Sequence, residues 1–273
     1  QSKQEEVWAF LNSSQYSTDK NLMNGFVKAN IALNYRKADV ALEILNAMRS
    51  EQEYNMFPIF DYEMGCAYQM KLDDVSISYL QRFMQRFRGR LFVKDAMQKI
   101  ALQYYMRNDL QQASQYRNKI TAAGNTQVDA DKQAQRFSEH KDWPDVTLLE
   151  VRLLIDEGYY SRALNIIGVK KEPDFINISD RLEYNFRFGR VYDELGQDKK
   201  AANYYNRTID IGKDRTEYFA ARAALQLGLM YEKNNSLREA ITAYRLCLSM
   251  KGHDFQNSID QQAKAGLNRL LVK

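Results

Sequence analysis

Proline is nearly missing from this chain: three occur in 273 residues, at Pro58, Pro144 and Pro173. Long stretches therefore run without the residue that removes a backbone donor and breaks a helix. The 12 glycines are scattered singly and not gathered into loops. Cysteine is as spare. Cys66 and Cys247 lie 181 residues apart (247 − 66), so both read as small packing residues and not as a disulfide framework. Histidine also occurs only twice, His140 and His253, and neither has a second His or a Cys at ligand spacing, which argues against a metal site. No run of about 18 apolar residues exists to span a bilayer. There is no Gly-x-Ser-x-Gly elbow, no phosphate-binding loop and no Gly-x-Gly-x-x-Gly. With 39 basic and 35 acidic residues, the net charge of +4 is too even to point to nucleic acid. The expectation is a helical protein that is not an enzyme and carries no cofactor.

What is present is a repeat. Phe188, Gly189, Tyr192, Ala201 and Tyr205 recur as Leu227, Gly228, Tyr231, Ala240 and Tyr244 with identical internal offsets. Gly sits where two antiparallel helices cross closely, Tyr fills the wedge beside it, and Ala lets the second helix approach. Weaker copies are Met64, Gly65, Tyr68 and Ser76, and Ile100, Ala101, Tyr104 and Ala113. Degenerate ones are Ala29 with Ala41 and Leu45, and Leu154 with Ala163 and Ile167. The second-helix small residues Ala41, Ser76, Ala113, Ala163, Ala201 and Ala240 are separated by 35, 37, 50, 38 and 39 residues. That spacing predicts an all-α fold, a tetratricopeptide-like α-α superhelix of about six helical hairpins, over residues 1–273 as one solenoid domain.

The 50-residue interval holds Val128 to Glu139, a polar helical stretch with no hairpin partner, and reads as an inserted helix before a turn at Trp143 and Pro144. A last helix, from about Asn257 to Leu271, carries Ala263, Leu267 and Leu270 as a capping face. Asp180 with Glu183, Ser236 with Glu239, and Ser258 with Gln261 read as capping boxes at helix starts. The acidic pairs Asp73 with Asp74 and Asp129 with Asp131 read as N-terminal compensation of helix dipoles.

These residues resemble the tetratricopeptide repeat pattern. The stretch Arg152, Leu153, Leu154 through Asp156, Gly158, Tyr159 and Tyr160 extends the likeness, with Gly189, Arg190, Tyr192, Asp193, and Ala263, Lys264, Ala265, Gly266, Leu267. Together they look like a Bacteroidota family of tetratricopeptide proteins, except that Glu157 stands where that family has a second Gly. That resemblance implies a further helical region upstream, so that this chain is the C-terminal part of a longer protein, and a periplasmic or cell-envelope location. Lys251, Gly252, His253, Asp254 and Phe255 are also similar to a eukaryotic tetratricopeptide group at mitochondrial membranes.

The implied function is a scaffold that holds another protein or peptide in the concave groove lined by the first helix of each hairpin. A structural or assembly subunit of a cell-envelope complex is the alternative. Candidate groove residues are Arg152, Arg190, Phe186, Asp193, Leu225, Leu229, Gln98 and Tyr105. The clamp that some of these proteins build for a chaperone tail uses Lys and Asn, whereas Phe186, Arg190, Leu225 and Leu229 stand at the corresponding places here. Arg152 and Arg190 share one position in consecutive repeats and suit bidentate capture of carboxylates. Internal pairing of Arg152 with Asp156 and of Arg190 with Glu194 is the competing expectation. Arg82, Arg86, Arg88 and Arg90, interleaved with Phe83 and Phe87, resemble a nucleic-acid groove. Helical spacing turns both phenylalanines to the core, so no nucleic-acid partner is expected, and the isolated chain is expected to be monomeric.

Overall fold

The computed structural model describes residues 21–140 and 142–271, together with Glu6 and Ala9. Among the described residues there are fourteen α-helices and no strand. Three pairs come first: α1 (Leu22–Asn34) with α2 (Ala38–Met48), α3 (Ile59–Met70) with α4 (Val75–Arg86), and α5 (Val93–Met106) with α6 (Leu110–Ile120). Helix α7 (Asp129–Glu139) is the insertion, and α8 (Val146–Asp156) with α9 (Tyr160–Ile167) takes the fourth place. Helices α10 (Ile178–Glu194) with α11 (Asp198–Gly212) and α12 (Phe219–Lys233) with α13 (Leu237–Ser249) follow, and α14 (Gln256–Leu271) is last. Six pairs, an insertion and a terminal helix are the elements that the repeat spacing predicts. The chain divides into two compact units: unit 1 is Gln1–Val146 with Asp156–Gly158, and unit 2 is Thr147–Ile155 with Tyr159–Lys273.

All six helix pairs turn in the same way. The second residue after the first helix takes a left-handed backbone at Arg36, Leu72, Asn108, Gly158, Gly196 and Asn235, with φ between 57° and 80°. The next amide then reaches back five residues: Lys37 to the Ala32 carbonyl, Asp73 to Tyr68, Asp109 to Tyr104, Tyr159 to Leu154, Gln197 to Tyr192 and Ser236 to Tyr231. This closure satisfies carbonyls that a helix C-terminus would otherwise leave open. Gly and Asn accept the conformation cheaply, whereas Arg36 and Leu72 bear the strain of a Cβ there.

Between helices, the repeat residues meet as their types require. A Cβ at Gly65 would stand 2.5 Å from Leu80 Cγ, one at Gly189 2.5 Å from Tyr205 Cδ1, and one at Gly228 2.5 Å from Tyr244 Cδ1. Each partner lies four residues beyond the small residue of the second helix (Ser76, Ala201, Ala240). Ala101, Ala113, Ala163, Ala201 and Ala240 are all fully buried. The wedge tyrosines stack on an aromatic ring three residues beyond that small residue: Tyr68 on Tyr79, Tyr104 on Tyr116, and Tyr192 on Tyr204, with centroids 5.5 to 5.8 Å apart. At the last pair that position is Ala243, and Tyr231 borders a cavity of about 430 Å³ with Leu227, Ala243 and Leu246.

Helix α7 is more than an insertion. Its buried Asp131 accepts hydrogen bonds from the Phe92 amide at 2.7 Å and the Asp95 amide at 3.0 Å, so it caps α5, whose own N-cap residue supplies no side-chain bond. Lys94 in turn donates to the carbonyls of Ile120 (2.7 Å) and Thr121 (3.0 Å) at the end of α6.

The capping boxes are a correction. Asp180 and Ser258 lie inside the first turns of α10 and α14, and Ser236 holds the N-cap place of α13 without a side-chain cap bond. Asp73, by contrast, accepts from the Val75 amide at 3.0 Å, the N-terminal role expected of it.

Candidate functional site

Bridging side chains separate the helices of each unit into two faces. First helices are joined to first helices: Asn30 Nδ2 on α1 donates to Glu63 Oε1 on α3 (2.8 Å), and Gln69 on α3 donates to the Lys99 carbonyl on α5 (2.9 Å). In unit 2, Arg269 on α14 grips Glu232 on α12 through two bonds of 2.8 Å. Second helices are joined likewise, as where Gln81 on α4 donates to Tyr116 on α6 at 2.8 Å. The first-helix face of each unit is the candidate partner surface.

In unit 2 that face is basic. Arg190 on α10 pairs with Glu194 at 3.1 Å, the internal pairing expected for it. Arg152 on α8 is half-buried and makes no ion pair or hydrogen bond among the described residues, so the pairing with Asp156 is not formed. Sequence reasoning passed over Arg222 on α12. Its half-buried guanidinium has one polar contact, to Gln262 Oε1 at 3.4 Å, and no carboxylate. Burial first, and then the charge of Arg190, push its pKa below the ordinary guanidinium range. No repeat offset marks it, because it lies six residues before Gly228 at a place where the preceding hairpin carries Glu183. Asp193 accepts from the Tyr205 hydroxyl at 3.0 Å, and burial raises its pKa.

Two of the expected groove residues are not on the surface. Phe186 (2% exposed) packs among Tyr205, Tyr218 and Phe219, and Leu225 (0%) lies in the same core. Phe186 lies between α11 and the start of α12, and both residues belong to the buried core of unit 2, which is why an apolar residue stands at each place. Leu229, one turn on from Leu225, is exposed.

In unit 1, Gln98 is half-buried, and Tyr105 is committed elsewhere. Its hydroxyl donates to the Pro144 carbonyl at 2.8 Å and its ring stacks on Trp143, against which Arg117 also lies. The residues that crowd the first-helix face here are Glu63, Asp95 and Lys99. Lys99 bonds Asp95 at 2.8 Å, and Tyr62 donates to the same carboxylate at 2.7 Å. Glu63 is buried with Asn30 as its hydrogen-bond partner, and burial lifts its pKa from 4.5 to about 7.

Three of the four clustered arginines are held by contacts within unit 1, and Arg88 is exposed. Arg82 and Arg86 converge on the fully buried Asp61, Arg86 also reaches the Asn55 carbonyl, and Arg90 donates to the Gly124 carbonyl. Phe83 is in the core and stacks on Phe87 at 4.8 Å. Cys66 and Cys247 are both free and buried. Among the described residues, no group of three or more His, Cys, Asp or Glu is placed to hold a metal ion, and no helix is long and apolar enough to cross a membrane.

Comparison with known proteins agrees with the helix pairing in unit 2. No curated protein matches the chain, so the likeness to a Bacteroidota family has no named relative behind it. Among solved structures, the crystal structure of the P58(IPK) TPR domain is similar at 16% identity and a TM-score of 0.36, over 99% of this chain and 70% of that one. A family profile described as the tetratricopeptide repeat matches residues 182–211 and 221–254, which are the α10–α11 and α12–α13 hairpins. These two hairpins thus match the tetratricopeptide repeat, a class of module that generally mediates contacts between proteins.

Proposed function

We propose that the protein is a non-catalytic scaffold that holds an extended segment of another protein against its first helices, and that in unit 2 this segment presents carboxylates to Arg152, Arg190 and Arg222. The observation that carries the reading is Arg222, a half-buried guanidinium with no carboxylate and a single long amide contact. A guanidinium in that state gains from a bidentate acid more than one fully in water does. Arg190 adds to the same field, since its link to Glu194 is of the i,i+4 order with the base first, a pairing that contributes only about 0.2 to 0.5 kcal/mol. A blocked hexaglutamate peptide, titrated by fluorescence anisotropy, tests this. The wild-type chain binds it, with an affinity that falls as salt rises. The folded Arg190→Glu/Arg222→Glu and Arg152→Glu/Arg190→Glu variants lose it, and as baits they capture a different set of partners. Equal binding by wild type and variants reduces these arginines to a solvated face.

A further inference from the structure

The α12–α13 hairpin departs from the others that carry a wedge tyrosine. In those three, a tyrosine three residues beyond the small residue of the second helix stacks on the wedge: Tyr79 after Ser76, Tyr116 after Ala113 and Tyr204 after Ala201. Two of these outer rings are also held at the hydroxyl by the preceding second helix. Arg49, at the end of α2, donates to the Tyr79 hydroxyl at 3.0 Å, and Gln81 Nε2 on α4 donates to that of Tyr116 at 2.8 Å. Over Tyr231 the corresponding residue is Ala243, which supplies no ring, and the cavity of about 430 Å³ lies there between α11, α12 and α13. Asn206 on α11 lines it, five residues beyond Ala201 as Gln81 is five beyond Ser76, so it stands at the donor's place. Its side chain is exposed and makes no hydrogen bond among the described residues. The stacking surface and the donor are thus both on the cavity wall.

We propose that this cavity receives a tyrosine side chain of a bound protein, with its ring stacked on Tyr231 and its hydroxyl accepting a hydrogen bond from the Asn206 amide. This goes beyond the reading of the first-helix face: it concerns the second helices α11 and α13 and a neutral group, and shares with it only that the ligand is a protein segment. The cavity's size falls within the range of about 300 to 1,000 Å³ in which small organic groups are held. Its mouth is open, since Asn206, Arg238, Glu239 and Leu246 all line it and all are exposed. Arg238 and Glu239 make no ion pair among the described residues, so the rim carries one charge of each sign. Such a rim selects neither an anion nor a cation for the cavity itself, whereas residues of either sign flanking a tyrosine in a peptide find a complement there. A tyrosine brings an apolar ring and a polar tip together, and stacked rings gain beyond the area they bury.

The test is a fluorine NMR titration of the full chain with acetyl-3-fluorotyrosine amide, at about pH 7 where the phenol is neutral. Acetyl-3-fluorophenylalanine amide and a blocked peptide with the same fluorotyrosine between alanines are titrated in parallel. The wild type binds the fluorotyrosine with a Kd on the order of 1 mM, the strength of one isolated side chain. It binds the fluorophenylalanine about fivefold more weakly, the factor for one lost hydrogen bond. Asn206→Ala weakens the fluorotyrosine by that factor and leaves the fluorophenylalanine unchanged; the residue is exposed, so folding is retained. Ala243→Tyr fills the cavity from within and abolishes binding of both. Hexaglutamate binding is the same in both variants as in the wild type, so this site and the first-helix face are judged separately. The peptide binds at least as tightly as the single residue. Undiminished binding by Ala243→Tyr, wild-type behaviour of Asn206→Ala toward both probes, or no binding by the wild type overturns the proposal. Exclusion of the peptide also overturns it, since the cavity would then be a site for a free phenol.

Discussion

Replacing Gly228 by alanine sets two effects of opposite sign against each other. In the middle of an exposed helix the change stabilises by about 1 kcal/mol, because alanine loses less backbone freedom. Here the added Cβ would stand 2.5 Å from Tyr244 Cδ1. The ring has nowhere to go. Its hydroxyl donates to Glu232 Oε2 at 2.6 Å, and its other side rests on Gly266 of α14, where an added Cβ would be 2.6 Å from Cε2. Overpacking of this kind costs about 1 to 3 kcal/mol, and a ring held on both sides and at its tip belongs at the upper end. Subtracting the helix gain leaves a net loss of about 2 kcal/mol, or about 4 to 8 °C in Tm for a body of this size. Trp143, the tryptophan among the described residues, falls in unit 1. The melting of unit 2 is therefore the part of the circular dichroism transition with no counterpart in tryptophan fluorescence. In a Tyr244→Leu background the same Gly228→Ala change should be neutral or stabilising, since the obstacle has gone. A rise in Tm for the single variant, or an undiminished loss in the Tyr244→Leu background, would refute the close approach and with it the register of this hairpin.

Asp131→Ala should destabilise unit 1 by about 2 kcal/mol, because two amides of α5 lose their acceptor in a buried place; Trp143 fluorescence during urea unfolding measures it. Leu72→Gly should stabilise the same unit by about 1 kcal/mol by relieving a Cβ at φ 57°, read as a higher urea midpoint with an unchanged slope. Ala243→Tyr should raise the Tm of unit 2, as a ring there restores the stack on Tyr231 and fills the cavity of about 430 Å³; an unchanged or lower Tm would show that the cavity is too shallow to hold it. For Glu63 the folded pKa lies above the unfolded one, so the native state holds a proton that the unfolded chain releases. Unit 1 should lose stability as pH rises from about 4.5 through about 7, with Glu157 extending the fall to about 8, and Glu63→Gln should flatten the first part of that slope in pH-dependent urea melts.

The helix pairs were legible because their signal is periodic: Gly189 and Gly228 sit at one offset from their tyrosines and alanines, and packing demands that offset wherever two helices cross closely. What sat on the far side of the glycine was harder to read. Tyr205 and Tyr244 are the rings that need the space, and the acids that bind their hydroxyls, Asp193 and Glu232, lie on the first helix, so the device spans two elements. The capping boxes failed for a related reason. Three-residue spacing of Ser or Asp with Glu recurs anywhere in a polar helix, and nothing local separates Asp180 in a first turn from an N-cap. Phe186 and Leu225 were misplaced because an offset along a helix gives a residue's neighbours but not the side it turns to once α11 and α13 have packed. Arg222 was invisible since its interest lies in what is missing around it, and a sequence does not record an absent partner.

The cap that Asp131 gives to α5 bears on how the chain acquires its structure. In a simple array each hairpin leans only on its neighbours, so it can form as soon as the next one exists. Here the third hairpin waits for a residue 36 positions further on before its first turn is complete. A chain emerging from the ribosome reaches Met106 with the start of α5 still open, and truncation anywhere before Asp129 leaves it so. Hairpin three and the polar helix after it thus enter the native state together, and a fragment library of this protein should contain no stable piece that ends between them.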